Sequence, residues 1–190
     1  MHIELTDHLR CPRDHDEAYL VLLPDRMDHR RVIAGHLGCP ICGWNTSWTD
    51  AIPDFGGGWS AEDGPPFDAA GAAAMLGLGG PGGLVALAGA AGALAPKLAE
   101  LLHGVAIVAI NPPAAVQPSE EISVLRSGAW PLKEHSMRGV VLGADAGRWR
   151  DQAIATTLPG LRTIASGDPP SGAGIELLAH AGGIWVVRHR

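Results

Sequence analysis

Past residue 68 the chain alternates between short apolar runs and segments whose apolar residues recur every three or four positions, the pattern of buried strands separated by helices. Leu84 to Ala88, Val105 to Ile110, Ile122 to Arg126, Gly139 to Gly143, Leu161 to Ser166 and Ile184 to Arg188 predict strands. Ala69 to Leu78, Ala93 to His103, Arg148 to Leu158 and Gly174 to Ala181 predict helices, the second with Leu94, Leu98, Leu101 and Leu102 on one face. This alternation predicts an α/β domain whose mostly parallel sheet is covered on its faces and whose crossovers are right-handed. Earlier in the chain, Ala18 to Leu23 and Arg31 to Leu37 predict a hairpin across a polar turn at Pro24 to Asp28. Gly56-Gly57-Gly58 and Gly64-Pro65-Pro66 mark the change of pattern, giving a small module at 1–56, a linker at 57–67 and a domain at 68–190.

Composition narrows this picture. A chain of 190 residues, 46% hydrophobic and 18% charged, holds one ordinary core beside a small module and is not a disordered tail. Its 26 glycines and 15 prolines follow no three-residue period, which excludes collagen and implies many turns. The net charge of −6 is confined to residues 1–63, where five arginines face eleven carboxylates, while residues 64–190 carry nine of each sign. An acidic module disfavours a nucleic-acid partner, because backbone binding releases counterions from a cationic surface. The long uncharged stretch from Ala69 to Pro96 is broken by Gly79-Gly80-Pro81-Gly82-Gly83, so no membrane span is expected. Three cysteines make no disulfide framework and Met1-His2-Ile3-Glu4 opens no signal sequence; both place the expectation in the cytoplasm.

The sharpest chemical signal is the pair of turns around the hairpin, Cys11-Pro12-Arg13-Asp14-His15 and Cys39-Pro40-Ile41-Cys42-Gly43. A Cys-Pro-x-Cys-Gly turn suits zinc, since its amides point at the thiolates and glycine closes the turn in the left-handed region. Cys11, Cys39 and Cys42 then need a fourth ligand. His15 is preferred because neutral imidazole is the commoner partner of thiolates, with Asp14 as the alternative. Four protein ligands close the site to water, so such a metal folds the module and does no catalysis. The competing assignment leaves the cysteines as ordinary buried thiols. His2, His8, His29 and His36 lie at no metal spacing and are expected to be solvated.

On these residues, together with Trp48-Thr49-Asp50-Ala51-Ile52-Pro53-Asp54, the module resembles the zinc-ribbon domain of the methyltransferase-activator family, over about residues 5–56. The departures are His15 or Asp14 in place of a cysteine and Ala51 in place of the glycine of an Asp-Gly-Ile-Pro turn. The remainder, from about residue 68, resembles the class I S-adenosylmethionine-dependent methyltransferase fold, a Rossmann-like three-layer αβα arrangement. The resemblance is carried by the glycine loop Ala88-Gly89-Ala90-Ala91-Gly92 after the first strand, by Trp130-Pro131-Leu132 ahead of the fourth, and by Leu158-Pro159-Gly160 before the fifth.

The resemblance implies S-adenosylmethionine at Gly89, Gly92 and Asn111. It also shows what is absent: active members carry an acidic residue at the end of the first strand, a Gly-x-Gly-x-Gly loop, and a carboxylate where Asn111 stands. An amide offers the ribose fewer acceptors and no charge. Asn111-Pro112-Pro113 follows the second strand and lacks an aromatic neighbour, so it reads as a proline-stiffened loop exit. No nucleophile elbow, phosphate loop or serine triad is present, and no catalytic residue is assigned. Asp145, Asp151 and Asp168 are expected at the carboxyl edge of the sheet as caps or loop carboxylates. Trp44, Trp48 and Trp59 are expected to pack the module onto the domain. The reading that follows is a non-catalytic scaffold or subunit that binds a protein partner or itself. A working methyltransferase is the alternative, and a nucleic-acid-binding ribbon comes third.

Overall fold

The computed structural model describes residues 1–16, 19–61 and 64–190. Strands β1 (Val21–Asp28), β2 (Arg31–Gly38) and β3 (Asn45–Trp48) form an antiparallel sheet of their own. The main sheet comprises β4 (Asp54–Phe55), β5 (Leu84–Ala88), β6 (Ala106–Ile110), β7 (Ile122–Ser127), β8 (Met137–Leu142), β9 (Thr157–Ser166), β10 (Ile175–Ala181) and β11 (Ile184–His189). Its order is β10-β11-β9-β8-β5-β6-β7-β4. All neighbours are parallel except β10/β11 and β11/β9, so the domain is α/β with a mostly parallel sheet. Helices α1 (Ala69–Leu76), α2 (Ala95–Leu101) and α3 (Arg150–Thr156) complete it, and none of the described helices is long and apolar enough to cross a membrane.

The two faces of the sheet are read directly from the period of two along each strand. Val85 and Leu87 of β5, with Ile107 and Ala109 of β6, pack against Ala72, Leu76, Ala95 and Leu98 of α1 and α2. Small residues on both helices let them lie close to the sheet. Leu84, Ala86 and Ala88 point the other way, into a core with Val108, Ile110, Leu125 and Trp149 that also takes in Met1, Leu5, Leu9, Leu37 and Trp48. The N-terminal module therefore shares the covering of this face with α3. Backbone pairing reinforces the packing: Leu9 bridges Leu132, Arg10 N–H donates to the Pro131 carbonyl, and Lys133 N–H donates to that of His8. The Trp130-Pro131-Leu132 turn is thus the seat on which the module rests. β4 joins the edge of the main sheet beside β7, fixed by an Asp54–Arg126 ion pair. Of the three tryptophans near the boundary, Trp48 is buried, Trp44 meets Phe55 edge-on at 5.0 Å, and Trp59 stays partly exposed beneath the Arg126 guanidinium.

Two expectations about elements are corrected. Gly174 to Ala181 is not a helix but contains β10, because Gly182 and Gly183 have φ of 59° and 72° and turn it back on β11 as a hairpin. Pro24 to Asp28 is not the hairpin turn. β1 runs through it with a bulge between Pro24 and Arg26, and the chain reverses at His29, whose φ is 52°. Proline is tolerated there because β1 is an edge strand. Ala18, expected in the first strand, lies outside the described residues. The helices are also shorter than periodicity predicts: Gly89–Leu94 and Ala144–Trp149 are 3-10 turns leading into α2 and α3.

Ala51 holds a left-handed backbone with φ of 65°, while its N–H donates to the Ile33 carbonyl at 2.8 Å. This is the position at which the ribbon resemblance expects glycine. Relief of the Cβ clash predicts that Ala51→Gly stabilises the protein by about 1 kcal/mol, seen as a higher urea midpoint with an unchanged slope.

Candidate functional site

The two turns around the small sheet bring Cys11, His15, Cys39 and Cys42 together, with one ligand atom from each and all four within 4.8 Å of one another. Asp14, the alternative fourth ligand, is exposed and outside this group. The spacings suit a four-coordinate ion. Tetrahedral zinc with Zn–S of ~2.3 Å and Zn–N of ~2.0 Å separates two sulfurs by ~3.8 Å and sulfur from nitrogen by ~3.5 Å. Cys11 Sγ and Cys42 Sγ are 3.6 Å apart, and His15 Nε2 lies 3.5 Å from Cys39 Sγ. His15 Nδ1 is 2.7 Å from the Asp16 carbonyl, which fixes the proton on Nδ1 and leaves the Nε2 lone pair facing the sulfurs.

The metal-free thiols are unequal. Burial pushes Cys11 up to about 11. Burial also opposes ionisation of Cys39, but the amides of Cys42 and Ile41 aimed at its sulfur outweigh it and bring this thiol down to about 7. Those amides are the feature that the Cys-Pro-x-Cys turn supplies. The remaining histidines are not uniformly solvated as expected: His29 and His36 are exposed, but His2 and His8 are half-buried, and burial lowers the pKa of both.

At the carboxyl edge of the main sheet a cleft of ≈ 330 Å³ is lined by Trp59, Gly89, Asn111, Asp145, Arg148 and Trp149. It brings together Gly89 and Asn111 of the residues predicted for a cofactor, and adds Asp145 from the carboxylate candidates. Gly89 has φ of 64°, and a Cβ there would collide with the Asp145 carboxylate, which accepts the Ala90 N–H at 2.9 Å. Gly92 lies against Pro112 and does not line the cleft. Both glycines are therefore required by contacts within the chain. Asp151 pairs with its neighbour Arg150 on α3 and takes no part in the cleft.

Asn111 is buried, in a left-handed conformation with φ of 49°. Its Nδ2 donates to the Ser127 carbonyl at 2.8 Å and its Oδ1 accepts the Ser127 N–H at 2.7 Å, so the carboxamide closes the end of β6 onto the end of β7. Over this bridge runs the segment after β4. Gly57 packs on the Ser127 amide so closely that a Cβ would overlap it, and Ser60 N–H donates to the carbonyls of Asn111 and Pro112 at 3.2 and 3.0 Å. The stretch read as the start of a linker forms one wall of the cleft. Neither this strap nor the Asn111–Ser127 bridge was predicted from the sequence. The available signal was the amide at 111 together with the run of glycines at 56–58.

No family model and no curated protein matches the sequence. Among solved structures, the chain is similar to a Methanococcus maripaludis protein assigned as an S-adenosyl-L-methionine-dependent methyltransferase, at 11% identity over 64% of this chain and 83% of that one, with a TM-score of 0.46. It is similar at 14% identity to an Anabaena variabilis protein assigned as a methyltransferase of an antibiotic biosynthesis pathway, over 52% of this chain, with a TM-score of 0.42. The match spans 43% of the length of that protein. A third similarity, at 14% identity and a TM-score of 0.39, is to a complex between a Haloferax volcanii methyltransferase activator and its methyltransferase, covering 50% of each chain.

Proposed function

We propose that this chain is a zinc-stabilised, methyltransferase-like scaffold that has lost catalysis and works by binding a protein partner. The observation that carries the reading is Asn111. Where the methyltransferase resemblance expects a carboxylate free to accept two ribose hydroxyls, both hydrogen-bonding ends of this carboxamide are committed to the Ser127 backbone. Ala88 ends the first strand without a charge, the Ala90 amide is taken by Asp145, and the strap from Gly57 to Ser60 lies over the neighbouring backbone. The residues present do not fit S-adenosylmethionine, because each anchor is either missing or used within the chain. The ribbon supplies the stabilising part: Cys11, His15, Cys39 and Cys42 would hold zinc in a closed site, with His15 rather than Asp14 as the fourth ligand.

The enzyme alternative draws on the surviving cleft, with Asp145 and two tryptophans in its walls. Calorimetric titration of S-adenosylmethionine and its demethylated product into the zinc-loaded protein separates the two. The expected result is no heat and no thermal stabilisation at millimolar ligand. Saturable micromolar binding would overturn the scaffold reading and make Asp145 the first residue to test against methyl acceptors.

A further inference from the structure

The three cysteines of the cluster do not meet solvent equally. Cys11 and Cys39 are each 3% exposed, while Cys42 is half-buried in the turn between β2 and β3. That turn is open: Ile41 is 65% exposed, and Gly43, with φ of 71°, has nothing within 4 Å of a Cβ position. A bound zinc would hold all three sulfurs as thiolates, so access decides which of them a small oxidant reaches first. The structure gives that place to Cys42.

The sulfur standing opposite it is that of Cys11, whose Sγ lies 3.6 Å from Cys42 Sγ across 31 residues of chain. Cys39 is nearer in sequence but is held otherwise: its sulfur takes the amides of Cys42 and Ile41 and stands 3.5 Å from His15 Nε2. Bonding Cys39 to Cys42 means giving up those amides, whereas joining Cys11 to Cys42 only brings two neighbouring sulfurs to ~2.05 Å. The bond encloses the whole of β1 and β2 in one loop. It also ties the β2–β3 turn to a segment seated on the main domain, since Arg10 N–H donates to the Pro131 carbonyl and Leu9 bridges Leu132. A covalent staple at this place constrains the unfolded chain and so favours the folded small sheet without an ion.

We propose that Cys42 is a site of oxidation by hydroperoxides whose product, a Cys11–Cys42 disulfide, holds the small sheet in place of the ion. The Cys42 thiolate attacks one peroxide oxygen, the O–O bond breaks, and Cys42 becomes a sulfenic acid as hydroxide leaves. The Cys11 thiolate then attacks that sulfur, the S–O bond breaks and a second hydroxide leaves. Two electrons pass from the sulfurs to one peroxide, and two protons from solvent complete two waters. The proposal rests on the zinc reading for its consequence: an ion left with Cys39 and His15 alone is released.

The test treats the full-length, zinc-loaded protein with hydrogen peroxide beside a chromogenic zinc chelator, alkylates the remaining thiols and locates the disulfide by fragmenting non-reduced peptides. Expected are one zinc released per two thiols lost, a cross-link between Cys11 and Cys42, an alkylated Cys39 and recovery of all thiols with dithiothreitol. The oxidised, zinc-free protein should melt above the reduced, chelated protein. A Cys39–Cys42 or Cys11–Cys39 bond, a disulfide between two chains, or oxidation to sulfinic acid without a disulfide overturns the proposal. So do zinc and thiols untouched at millimolar peroxide, or an oxidised protein that melts no higher than the chelated one. Protein purified without zinc overturns the zinc reading alone, because mapping of that protein still decides the disulfide by the same criteria.

Discussion

Chelating the proposed zinc is expected to unfold the small sheet of β1, β2 and β3 and to lower the stability of the whole chain. A structural zinc contributes about 10 kcal/mol or more of apparent binding free energy to small ribbon modules. Here the module cannot melt alone. Met1, Leu5, Leu9, Leu37 and Trp48 lie in the same core as Leu84, Ala86, Val108 and Leu125, so unfolding the N-terminal module uncovers one face of the main sheet. Even a loss of about 5 kcal/mol would lower the melting temperature by about 10–20 °C in a chain of this size. Cys42→Ser and His15→Ala should reproduce most of this loss, while Asp14→Ala should leave one equivalent of zinc and an unchanged transition. Metal analysis and differential scanning calorimetry on the same samples check all three. Less than half an equivalent of zinc in the wild type, with the transition unmoved by chelator, would return the three cysteines to the status of buried thiols.

The contrast between the two candidate sites shows where sequence reasoning holds. The four candidate metal ligands lie in two tight turns, and short spacing with turn chemistry constrains their geometry locally, which is why the cluster of Cys11, His15, Cys39 and Cys42 could be anticipated from sequence. The central strands were legible for a related reason: Leu84–Ala88 is buried on both faces, and such a strand has to be an uninterrupted apolar run. What was not legible depends on partners distant in sequence. Ile175–Ala181 carries an ambiguous pattern, and the glycine pair beyond it decides for a strand. The covering of the second sheet face by the N-terminal module depends on Leu9 meeting Leu132, more than a hundred residues away. The cleft is the extreme case, because the role of Asn111 is set by the backbone of Ser127 and by a strap at Gly57 that composition alone presents as a linker.

That bridge makes a counter-intuitive substitution informative. Asn111→Asp restores the carboxylate that the methyltransferase resemblance expects at the end of β6, yet it is expected to destabilise the protein and to gain no S-adenosylmethionine binding. The aspartate keeps an acceptor for the Ser127 N–H but places a second oxygen against the Ser127 carbonyl, where the amide had donated at 2.8 Å. A buried donor lost and an anion facing a carbonyl together cost about 3 kcal/mol, or roughly 6–12 °C in melting temperature. The left-handed backbone is not the cause, since aspartate tolerates it nearly as well as asparagine. Protonation supplies the check. A neutral carboxyl can donate its O–H to the same carbonyl, so the folded state raises the pKa of the new group above its unfolded value of about 3.9. The folded variant then holds its proton to higher pH than the unfolded chain, and its deficit relative to wild type grows as pH rises through that window. Urea denaturation of the two proteins at pH 5 and pH 8 should show the smaller gap at the lower pH. A variant as stable as wild type at pH 8 that also binds S-adenosylmethionine would mean that Asn111 is a replaceable cofactor ligand and not a brace.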